Sequence, residues 1–520
     1  MDTENLHQHP KLTELCTRLT EIADLRSAAQ ILEWDQSTYM PSGGAAARGR
    51  QLSTLARLAH EKLTDDAVAR LLEDLAPLER ELPADSTSAS LIRVARRDHQ
   101  RATRIPTAFT ARLQDHLSNS FNTWAKARPA NDFAAVRPLL ERTLELSREL
   151  SSFFPEAAHP ADPLIDYADQ GMTAASVRAL FKELLAELGP LAAAITAQPL
   201  ADATCLEGHF PEADQIAFGR EVITRLGYDW ERGRQDKTHH PFMTKFSLGD
   251  VRITTRVREN DMTDALFSTL HECGHALYEQ GIRMELDGTP LANGTSSGVH
   301  ESQSRLWENL VGRSLGFWRH FYPRMQALFP SQLAGVPLEA FHRAINKVER
   351  SLIRVDADEV TYNLHVMLRF ELELDLLEGR VAVADLARVW RERFEADFGL
   401  VVPDDRNGVL QDVHWYSGAI GGAFQGYTLG NILSAQVYAA ACAAHPAIPA
   451  EIERGRFTTL HAWLRENLYQ HGAKFTADEV VRRATGAPMS LEPYLDYLWN
   501  KYRPLYGLTE SERAGAGATA

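Results

Sequence analysis

The strongest constraint on the fold of this chain is a segment that is typical of one amphipathic helix and carries the pattern His-Glu-x-x-His at residues 271–275. Asp261 is suited to begin this helix as its N-cap, and Gly281 is a natural residue to follow its end. At about 100° per residue, His271 and His275 lie on nearly the same face, one turn apart. Two imidazole groups placed in this way can bind one Zn²⁺ ion, and Glu272 beside them can take a proton from a water that the metal activates.

A simpler explanation of the pattern is two histidines on a half-buried helix, each satisfied by hydrogen bonds. The caps at both ends favour the metal site, as does the apolar cover beside the pair, which is supplied by Leu266, Phe267, Leu270, Ala276 and Leu277. Cys273 lies about 200° around the helix from His271, so it cannot join the same site. We interpret Cys273 as a small packed thiol.

Composition restricts the class of protein. The chain has 520 residues, of which 44% are hydrophobic and 24% charged, which is enough for a large globular core. Its net charge of −15 and the lack of a basic stripe argue against nucleic acid or an anionic membrane surface as a partner. The four cysteines form no C-x-x-C pair, which fits a reducing cytosol and excludes a cysteine-rich structural zinc site. The sequence shows neither a secretion signal nor an apolar stretch of about 18 residues, so we predict a cytoplasmic protein.

Helical periodicity dominates the chain, with long predicted helices such as 338–379, 384–398 and 429–444. Residues 240–257 are the exception, because they are rich in β-formers and pivot at Gly249-Asp250, which predicts a hairpin directly before the metal-binding helix. We find no linker that would divide the chain. The sequence therefore predicts a single domain over residues 1–508, followed by a disordered tail at 509–520.

A catalytic zinc ion usually has three protein ligands and one open position, so a third ligand should follow His275. The candidates are Glu279, Glu285, Glu301 and Glu308. Glu279 is one turn past His275 on the same helix and would compete poorly for a site that faces another helix. Glu301 and Glu308 are seven residues apart and share one face of the next helix, so periodicity does not choose between them.

Further motifs across the chain resemble those of the carboxypeptidase Taq family of zinc metallocarboxypeptidases. The residues that carry the resemblance, in the order of the family, are Asp250-Val-Arg252-Ile-Thr254 (D-x-R-x-T), His300-Glu301-Ser302-Gln303 (H-E-S-Q), Ile353-Arg354-Val-Asp-Ala357-Asp358 (I/L-R-x-x-A-D) and Gly408-Val-Leu-Gln411-Asp412-Val-His414-Trp415 (G-x-x-Q-D-x-H-W). Trp34-Asp35-Gln36 near the N-terminus and the segment from Tyr427 to Gly430 are similar to the family as well. The resemblance spans nearly the whole chain.

The resemblance implies a fold and a set of roles. The fold is mainly α and zincin-like: an elongated helical body with a deep active-site groove and a small antiparallel β-sheet, commonly forming a homodimer. The implied metal ligands are His271, His275 and Glu301, with Glu272 as the general base. The implied substrate-binding residues are Arg252, Arg354 and Gln303, and His414 and Tyr427 would line the groove and assist catalysis.

Three of these residues have alternative explanations in the sequence itself. Arg354 is spaced for an i,i+4 helix pair with Asp358, which would be worth only a few tenths of a kcal/mol. His414 lies beside Trp415 and fits a hydrogen-bonded histidine next to a core tryptophan. Tyr427 fits a packing tyrosine at the start of a helix.

The predicted function is a metallocarboxypeptidase that removes single C-terminal amino acids from peptides with broad specificity. A carboxypeptidase must recognise a free carboxylate, and arginine does this best through a bidentate fork. The metal is predicted to be Zn²⁺, with Co²⁺ or another divalent ion also compatible with nitrogen and oxygen ligands. The alternatives are a dipeptidyl carboxypeptidase or an oligoendopeptidase with the same zinc helix and, more remotely, a non-catalytic zinc-stabilised scaffold that binds peptides.

Overall fold

The structure is a computed structural model that describes residues 9–509, and it is mainly helical with one small sheet. The mainly-α fold class predicted from the sequence is therefore confirmed. Of the predicted disordered tail, residues 510–520 lie outside the described residues. Within the described chain, we find no helix that is both long and apolar enough to cross a membrane.

The α-helices follow one another along the described chain. The first twelve are α1 (Pro10–Thr38), α2 (Ala45–Leu63), α3 (Asp66–Asp74), α4 (Ala76–Glu81), α5 (Thr87–Arg104), α6 (Thr107–Ala130), α7 (Phe133–Ser152), α8 (Asp162–Ala168), α9 (Ala174–Thr196), α10 (Glu212–Leu226), α11 (Met262–Gly281) and α12 (Ser297–Arg305). The others are α13 (Leu315–Leu328), α14 (Pro330–Leu333), α15 (Leu338–Ile345), α16 (Tyr362–Glu378), α17 (Leu386–Phe398), α18 (His414–Ser417), α19 (Gln425–Ala444), α20 (Ile448–Ile452), α21 (Thr458–Asn467), α22 (Ala477–Thr485) and α23 (Glu492–Tyr506). A π-helical turn, Leu306–Val311, continues directly from α12.

The sheet has three strands, β1 (Gln235–Lys237), β2 (Met243–Ser247) and β3 (Asp250–Thr255), in the order β1-β3-β2. Strands β2 and β3 form the predicted antiparallel hairpin, with Thr244 opposite Arg252. Strand β1 runs parallel to β3, so the sheet is mixed rather than purely antiparallel as the resemblance implied. The sequence did not indicate β1 because it is a short polar stretch without an alternating pattern.

By the density of their contacts, the described residues form two compact units. Unit 1 contains residues 9–111, 206–338 and 437–489, and unit 2 contains residues 112–205, 339–436 and 490–509. In unit 1, fully buried leucines such as Leu15 and Leu91 pack in one core with Leu248 and Leu291. The single domain over residues 1–508 stays a prediction, because compactness does not establish whether a unit folds independently.

Helix α11 begins as the sequence predicts, but it ends one residue later than predicted. Asp261 is the N-cap, and its side chain accepts a hydrogen bond from the backbone N–H of Thr263. Gly281 is the last helical residue rather than the residue beyond the end, and the cap is Ile282 in an extended conformation. A Cβ at Gly281 would lie 2.6 Å from the Cβ of Tyr469, so glycine is required here by close packing.

The predicted helix over residues 338–379 is interrupted. The structure has α15 and α16 with an irregular segment between them, which contains a 3₁₀ turn at Arg354–Asp356. Asp358 stabilises the break, because its carboxylate accepts hydrogen bonds from the backbone N–H groups of Val360 and Thr361 just before α16. Side chains that accept hydrogen bonds from nearby backbone groups compete with helix formation. The spacing of apolar residues, on which the helix prediction rests, does not reveal such bonds.

Helices α11 and α12 approach each other closely at Gly274. A Cβ at this position would lie 2.5 Å from the carbonyl oxygen of Gln303 and 2.6 Å from the Cα of Ser304. Contacts this short are to backbone atoms, which cannot rotate away as the end of a side chain can. Glycine at position 274 therefore sets the distance between the two helices.

We expect Gly274→Ala to destabilise the protein by at least about 1–3 kcal/mol, because the new methyl group forces the two backbones apart. The thermal midpoint of the metal-free protein should fall, and the affinity for a divalent metal should fall with it. Gly219→Ala is the matched control, since a Cβ at Gly219 in α10 would lie 3.5 Å from Cγ2 of Thr269 in α11, which is an ordinary contact distance. Equal stability of the two variants would contradict the close contact at Gly274.

Candidate functional site

Three side chains of unit 1 converge in the arrangement expected for metal ligands. The Nε2 atoms of His271 and His275 lie 3.6 Å and 3.3 Å from Oε2 of Glu301. The ligand atoms of these three residues all lie within 4.8 Å of one another. α11 supplies the two histidines and α12 supplies Glu301. The N-cap of α12 is Ser296, whose Oγ accepts a hydrogen bond from the backbone N–H of Val299.

The donor set fits a zinc ion. Tetrahedral nitrogen and oxygen donors at about 2.0–2.1 Å from zinc are about 3.3–3.4 Å from one another. The two nitrogen-to-oxygen distances to Glu301 are close to that value. The other carboxylate oxygen of Glu301, Oε1, accepts a hydrogen bond of 2.7 Å from Nε of Arg305. This bond leaves Oε2 facing the histidines and fixes the orientation of the carboxylate.

Each candidate ligand histidine has a polar partner on its other ring nitrogen. Nδ1 of His271 is 2.9 Å from Oε2 of Glu308, and Nδ1 of His275 is 2.6 Å from Nδ1 of His300. His300 continues the chain, with its Nε2 2.9 Å from Oε1 of Glu279. If each Nδ1 of the ligand histidines donates to its partner, each Nε2 carries a lone pair toward Glu301, which is the tautomer that binds a metal.

The four glutamates considered as third ligands occupy different positions. Glu301 is grouped with the two histidines. Glu308 meets His271 at the opposite ring nitrogen, and Glu279 is engaged by His300 and by Nζ of Lys245 at 2.6 Å. Glu285 is exposed. The geometry thus favours Glu301 as the third metal ligand. Glu308 lies in the π-helical turn after α12 and meets His271 at Nδ1, the ring nitrogen that Glu301 does not contact.

The ionisation of the acidic groups follows their surroundings. Burial alone would raise the pKa of Glu301, but Arg305, His271 and His275 hold it well below its usual range. Burial raises the pKa of Glu272 to about 7, with His271 opposing the rise. The carboxylate of Glu272 also has a hydrogen bond to the backbone of Met243 at the start of β2. A buried carboxylate with a raised pKa next to a metal-ligand set is typical of a general base.

Arg252 on β3 is held by its neighbours within unit 1. Its Nε and NH2 atoms donate to the two oxygens of Asp250 at 2.8 Å and 2.7 Å. The guanidinium carbon lies 4.6 Å from the ring centroid of Trp34 and 4.7 Å from that of Phe246. The charge of Arg252 is thus balanced by one carboxylate, and its substrate-binding role stays a prediction.

Arg354 in unit 2 does not form the helix pair with Asp358 that its spacing allowed, because it lies in the 3₁₀ turn. Its Nε donates to Oδ1 of Asp412 at 2.9 Å, and its NH1 donates to the hydroxyl of Tyr362 at 2.7 Å. Arg369, which is fully buried, donates from Nε to Oδ2 of the same Asp412. Two guanidinium groups therefore share one carboxylate, so this cluster keeps an excess positive charge suited to binding an anion.

His414 and Tyr427 are brought together in unit 2, with Nε2 of His414 2.9 Å from the hydroxyl of Tyr427. Gln303 in unit 1 is fully buried. Its Oε1 accepts from the hydroxyl of Tyr469 at 3.0 Å, and its Nε2 donates to Oγ of Ser302 at 2.8 Å. These contacts of Gln303 are internal to unit 1, so its substrate-binding role stays a prediction.

Some residues of the site environment could not be assigned from the sequence. Glu308 is a candidate metal ligand by its spacing, but in the structure its Oε2 lies next to Nδ1 of His271 rather than with the ligand atoms. The spacing of Glu301 and Arg305 by one helical turn is a visible signal for their ion pair. Arg369 carries no such signal, because its partner Asp412 is distant in the sequence.

Together, the two histidines one turn apart on α11, the glutamate from α12 and the buried Glu272 form an arrangement that is typical of metal-dependent peptidases of the His-Glu-x-x-His class.

Comparison with known proteins gives the family. The model of the carboxypeptidase Taq (M32) metallopeptidases matches residues 14–502. Thermostable carboxypeptidase 1 of Thermus thermophilus is 41% identical over 499 residues, which cover 94% of this chain and 97% of that protein. Carboxypeptidase 1 of Bacillus subtilis is 34% identical, with coverage of 96% and 99%.

The crystal structure of an M32 carboxypeptidase from Deinococcus radiodurans R1 matches with a TM-score of 0.92 and 52% identity, covering 96% of this chain and all of that one (100%). The chain belongs to the carboxypeptidase Taq (M32) family, and it is a metallocarboxypeptidase. The resemblance predicted from its motifs is thereby confirmed.

We expect Glu308→Gln to weaken divalent-metal binding about tenfold to a hundredfold, because the amide is a poorer acceptor for the Nδ1–H of His271 than a carboxylate. The measurement is competition with a chromophoric chelator, which requires no catalytic turnover. Glu285→Gln, at an exposed glutamate, is the matched control and should bind metal as the unmodified protein does. Unchanged affinity in Glu308→Gln would show that the contact with His271 does not support the site.

Proposed function

We propose that this metallocarboxypeptidase removes single C-terminal amino acids from peptides with broad specificity, using Zn²⁺ held by His271, His275 and Glu301. The observation that carries this proposal is the convergence of the two histidine Nε2 atoms on one oxygen of Glu301, at distances that suit tetrahedral zinc. Glu272 follows His271 directly, so the predicted base and the two histidine ligands lie on the same helix. Nitrogen and oxygen donors also accept Co²⁺ and other divalent ions, which makes zinc the proposed metal rather than the necessary one.

The proposed reaction is hydrolysis of the last peptide bond. A zinc ion, when bound, lowers the pKa of water and polarises a substrate carbonyl group. Glu272 accepts one proton from the attacking water, and the oxygen of that water forms a bond to the carbonyl carbon. The bond from carbon to nitrogen then breaks, and Glu272 returns the proton to the leaving amine. The burial of Glu272 keeps competing water away from this proton transfer.

Three residues of unit 2 are proposed to serve catalysis and substrate binding, as the family resemblance implies. Tyr427 or His414 can donate a hydrogen bond to the oxygen on which negative charge develops. Their mutual hydrogen bond of 2.9 Å supports this role by fixing both groups. Arg354 is proposed to bind the terminal carboxylate, supported by the excess positive charge of its cluster with Arg369 and Asp412. Arg252 is the weaker candidate, since Asp250 balances its single charge, whereas Arg354 shares Asp412 with a second guanidinium group.

The proposed partners are peptide substrates. The homodimer and the cytoplasmic location stay predictions, the first resting on the family resemblance and the second on the composition of the chain.

We expect Glu272→Gln to reduce turnover by about a hundredfold to ten-thousandfold, because the amide cannot accept the proton of the attacking water. The variant should keep its thermal midpoint and its bound metal, since the two side chains have nearly the same shape. Steady-state kinetics and metal analysis on the same preparation measure both. Near-normal activity in Glu272→Gln would overturn Glu272 as the base, and loss of the metal would assign Glu272 a structural role.

Two peptides that differ only at the C-terminus, one a free acid and one an amide, test the reaction itself. The metal-loaded protein should remove residues one at a time from the free acid, leave the amide nearly intact and stop when a chelator is added. Arg354→Ala should reduce the ratio of kcat/KM for the two peptides about tenfold or more, since a hydrogen bond to a charged group contributes about 1.5–3 kcal/mol. Arg252→Ala, compared in parallel, should leave this ratio nearly unchanged.

The other outcomes of this assay favour the alternatives. Loss of residues in pairs would indicate a dipeptidyl carboxypeptidase. Internal cuts in both peptides would indicate an oligoendopeptidase. No cleavage of either peptide by the metal-loaded protein would favour the peptide-binding scaffold. A change of the ratio in Arg252→Ala but not in Arg354→Ala would exchange the roles of the two arginines.

A further inference from the structure

A buried glutamate in unit 2 has no part in the reaction described above. Glu373 lies on α16 and is fully buried. One of its oxygens, Oε1, accepts a hydrogen bond of 3.0 Å from Nε1 of Trp415. The other, Oε2, accepts from the backbone N–H of Ala423 at 3.4 Å. A carboxylate in the interior is costly unless its oxygens are satisfied, so these bonds account for its presence.

The segment that Glu373 contacts is the glycine loop, residues 418–424, which joins α18 to α19. Besides Ala423, the backbones of Gly421 and Gly422 form hydrogen bonds to the same carboxylate. Burial raises the pKa of Glu373 to about 7, and these backbone bonds together with Trp415 oppose the rise. Successive backbone N–H groups around one anion form a nest, a motif that commonly holds a phosphate. Here the anion is a side chain of the protein itself.

The glycine loop is packed against its surroundings rather than loosely covering them. Gly421 has a φ of 118°, and a Cβ there would lie 2.4 Å from Cδ1 of Leu377. A Cβ at Gly422 would lie 2.9 Å from the backbone carbon of Leu164. The N–H of Ile420 donates to Oγ of Ser147 at 2.9 Å. The loop therefore has one defined path, which its glycines permit and Glu373 helps to hold.

The two ends of the glycine loop carry the His414–Tyr427 pair. Trp415, which bonds to one oxygen of Glu373, directly follows His414 in α18. Ala423, which bonds to the other oxygen, is followed by Phe424, whose ring centroid is 4.6 Å from that of His414. Tyr427 then lies in the first turn of α19. A single carboxylate thus joins the segment before the loop to the segment after it.

We propose that Glu373 is a positioning residue for catalysis, which holds His414 and Tyr427 at hydrogen-bond distance by anchoring Trp415 and the glycine loop together. This inference rests on the proposed function only in assigning His414 and Tyr427 to the reaction. Glu373 acts through these two groups and does not itself meet the substrate. Its effect is therefore on the rate of the chemical step rather than on substrate binding in general.

The test compares Glu373→Gln with Asp375→Asn. Glutamine keeps the shape of Glu373 but replaces one acceptor oxygen with an NH2 donor, so it cannot accept from both Trp415 and the loop. Asp375 is a buried carboxylate two residues further along α16 that pairs with Arg380 and Arg393, away from the glycine loop. Both variants replace a buried carboxyl group with an amide, so a merely structural effect should appear in both.

Two readouts are measured on the full-length, metal-loaded protein. In Glu373→Gln, amide hydrogen–deuterium exchange of the peptides that cover residues 418–424 should become faster, and kcat should fall about tenfold to a hundredfold with KM changed far less. In Asp375→Asn, the loop exchange and kcat should both match the unmodified protein, even if the thermal midpoint falls. If Glu373→Gln does not fold, Trp415→Phe removes one of the two anchors and should shift both readouts in the same direction.

The inference is overturned if Glu373→Gln and Asp375→Asn agree in both readouts, or if the loop exchanges faster with no change in kcat. Tyr427→Phe, measured in parallel, separates this failure from a failure of the proposed function. A normal kcat in Tyr427→Phe would remove Tyr427 from the reaction. The exchange of the glycine loop in Glu373→Gln would still decide whether Glu373 anchors it.

Discussion

The contact between α11 and α12 at Gly274 is the constraint on which the candidate metal site depends. The two histidines lie on one helix and the carboxylate on the other, and they meet because the backbones are in direct contact at Gln303 and Ser304. Any larger residue at position 274 would increase the distance between Glu301 and the histidines. Position 274 is the second variable position of the His-Glu-x-x-His pattern. Packing restricts it to glycine in this chain, although glycine takes no part in the chemistry.

Both units keep buried charges by pairing them with several partners. In unit 1, Glu301 bonds to Arg305 while its other oxygen faces the histidines. In unit 2, Asp412 is shared by Arg354 and Arg369. A single buried ion pair gains little net stability, because desolvation of both charges opposes their attraction. Such pairs nevertheless fix the orientation of each group, and a defined orientation is what a ligand or an anion-binding group requires.

Much of the site could be predicted from the sequence, because its determinants are local. The spacing of His271 and His275, the cap at Asp261 and the turn at Gly249 each act within a few residues, and the structure contains all three. The choice between Glu301 and Glu308 could not be made by periodicity, since both face His271. Glu301 meets its Nε2 and also meets His275, whereas Glu308 meets its Nδ1. The break before α16 was missed because Asp358 bonds to its own backbone, which a periodic pattern does not reveal. The parallel pairing of β1 depends on contacts between distant segments.

The discontinuous make-up of each unit bears on how the protein is produced in a cell. Unit 1 combines the first described hundred or so residues with two later stretches, the last of them at Val437–Met489. Arg93 of α5, for example, donates a hydrogen bond to the carbonyl oxygen of Lys474. At ribosomal speeds, the early helices wait on the order of tens of seconds for such partners to emerge. During that interval their apolar faces are incomplete, so hydrophobic surface that is buried in the folded protein stays exposed until the last segments have been synthesised.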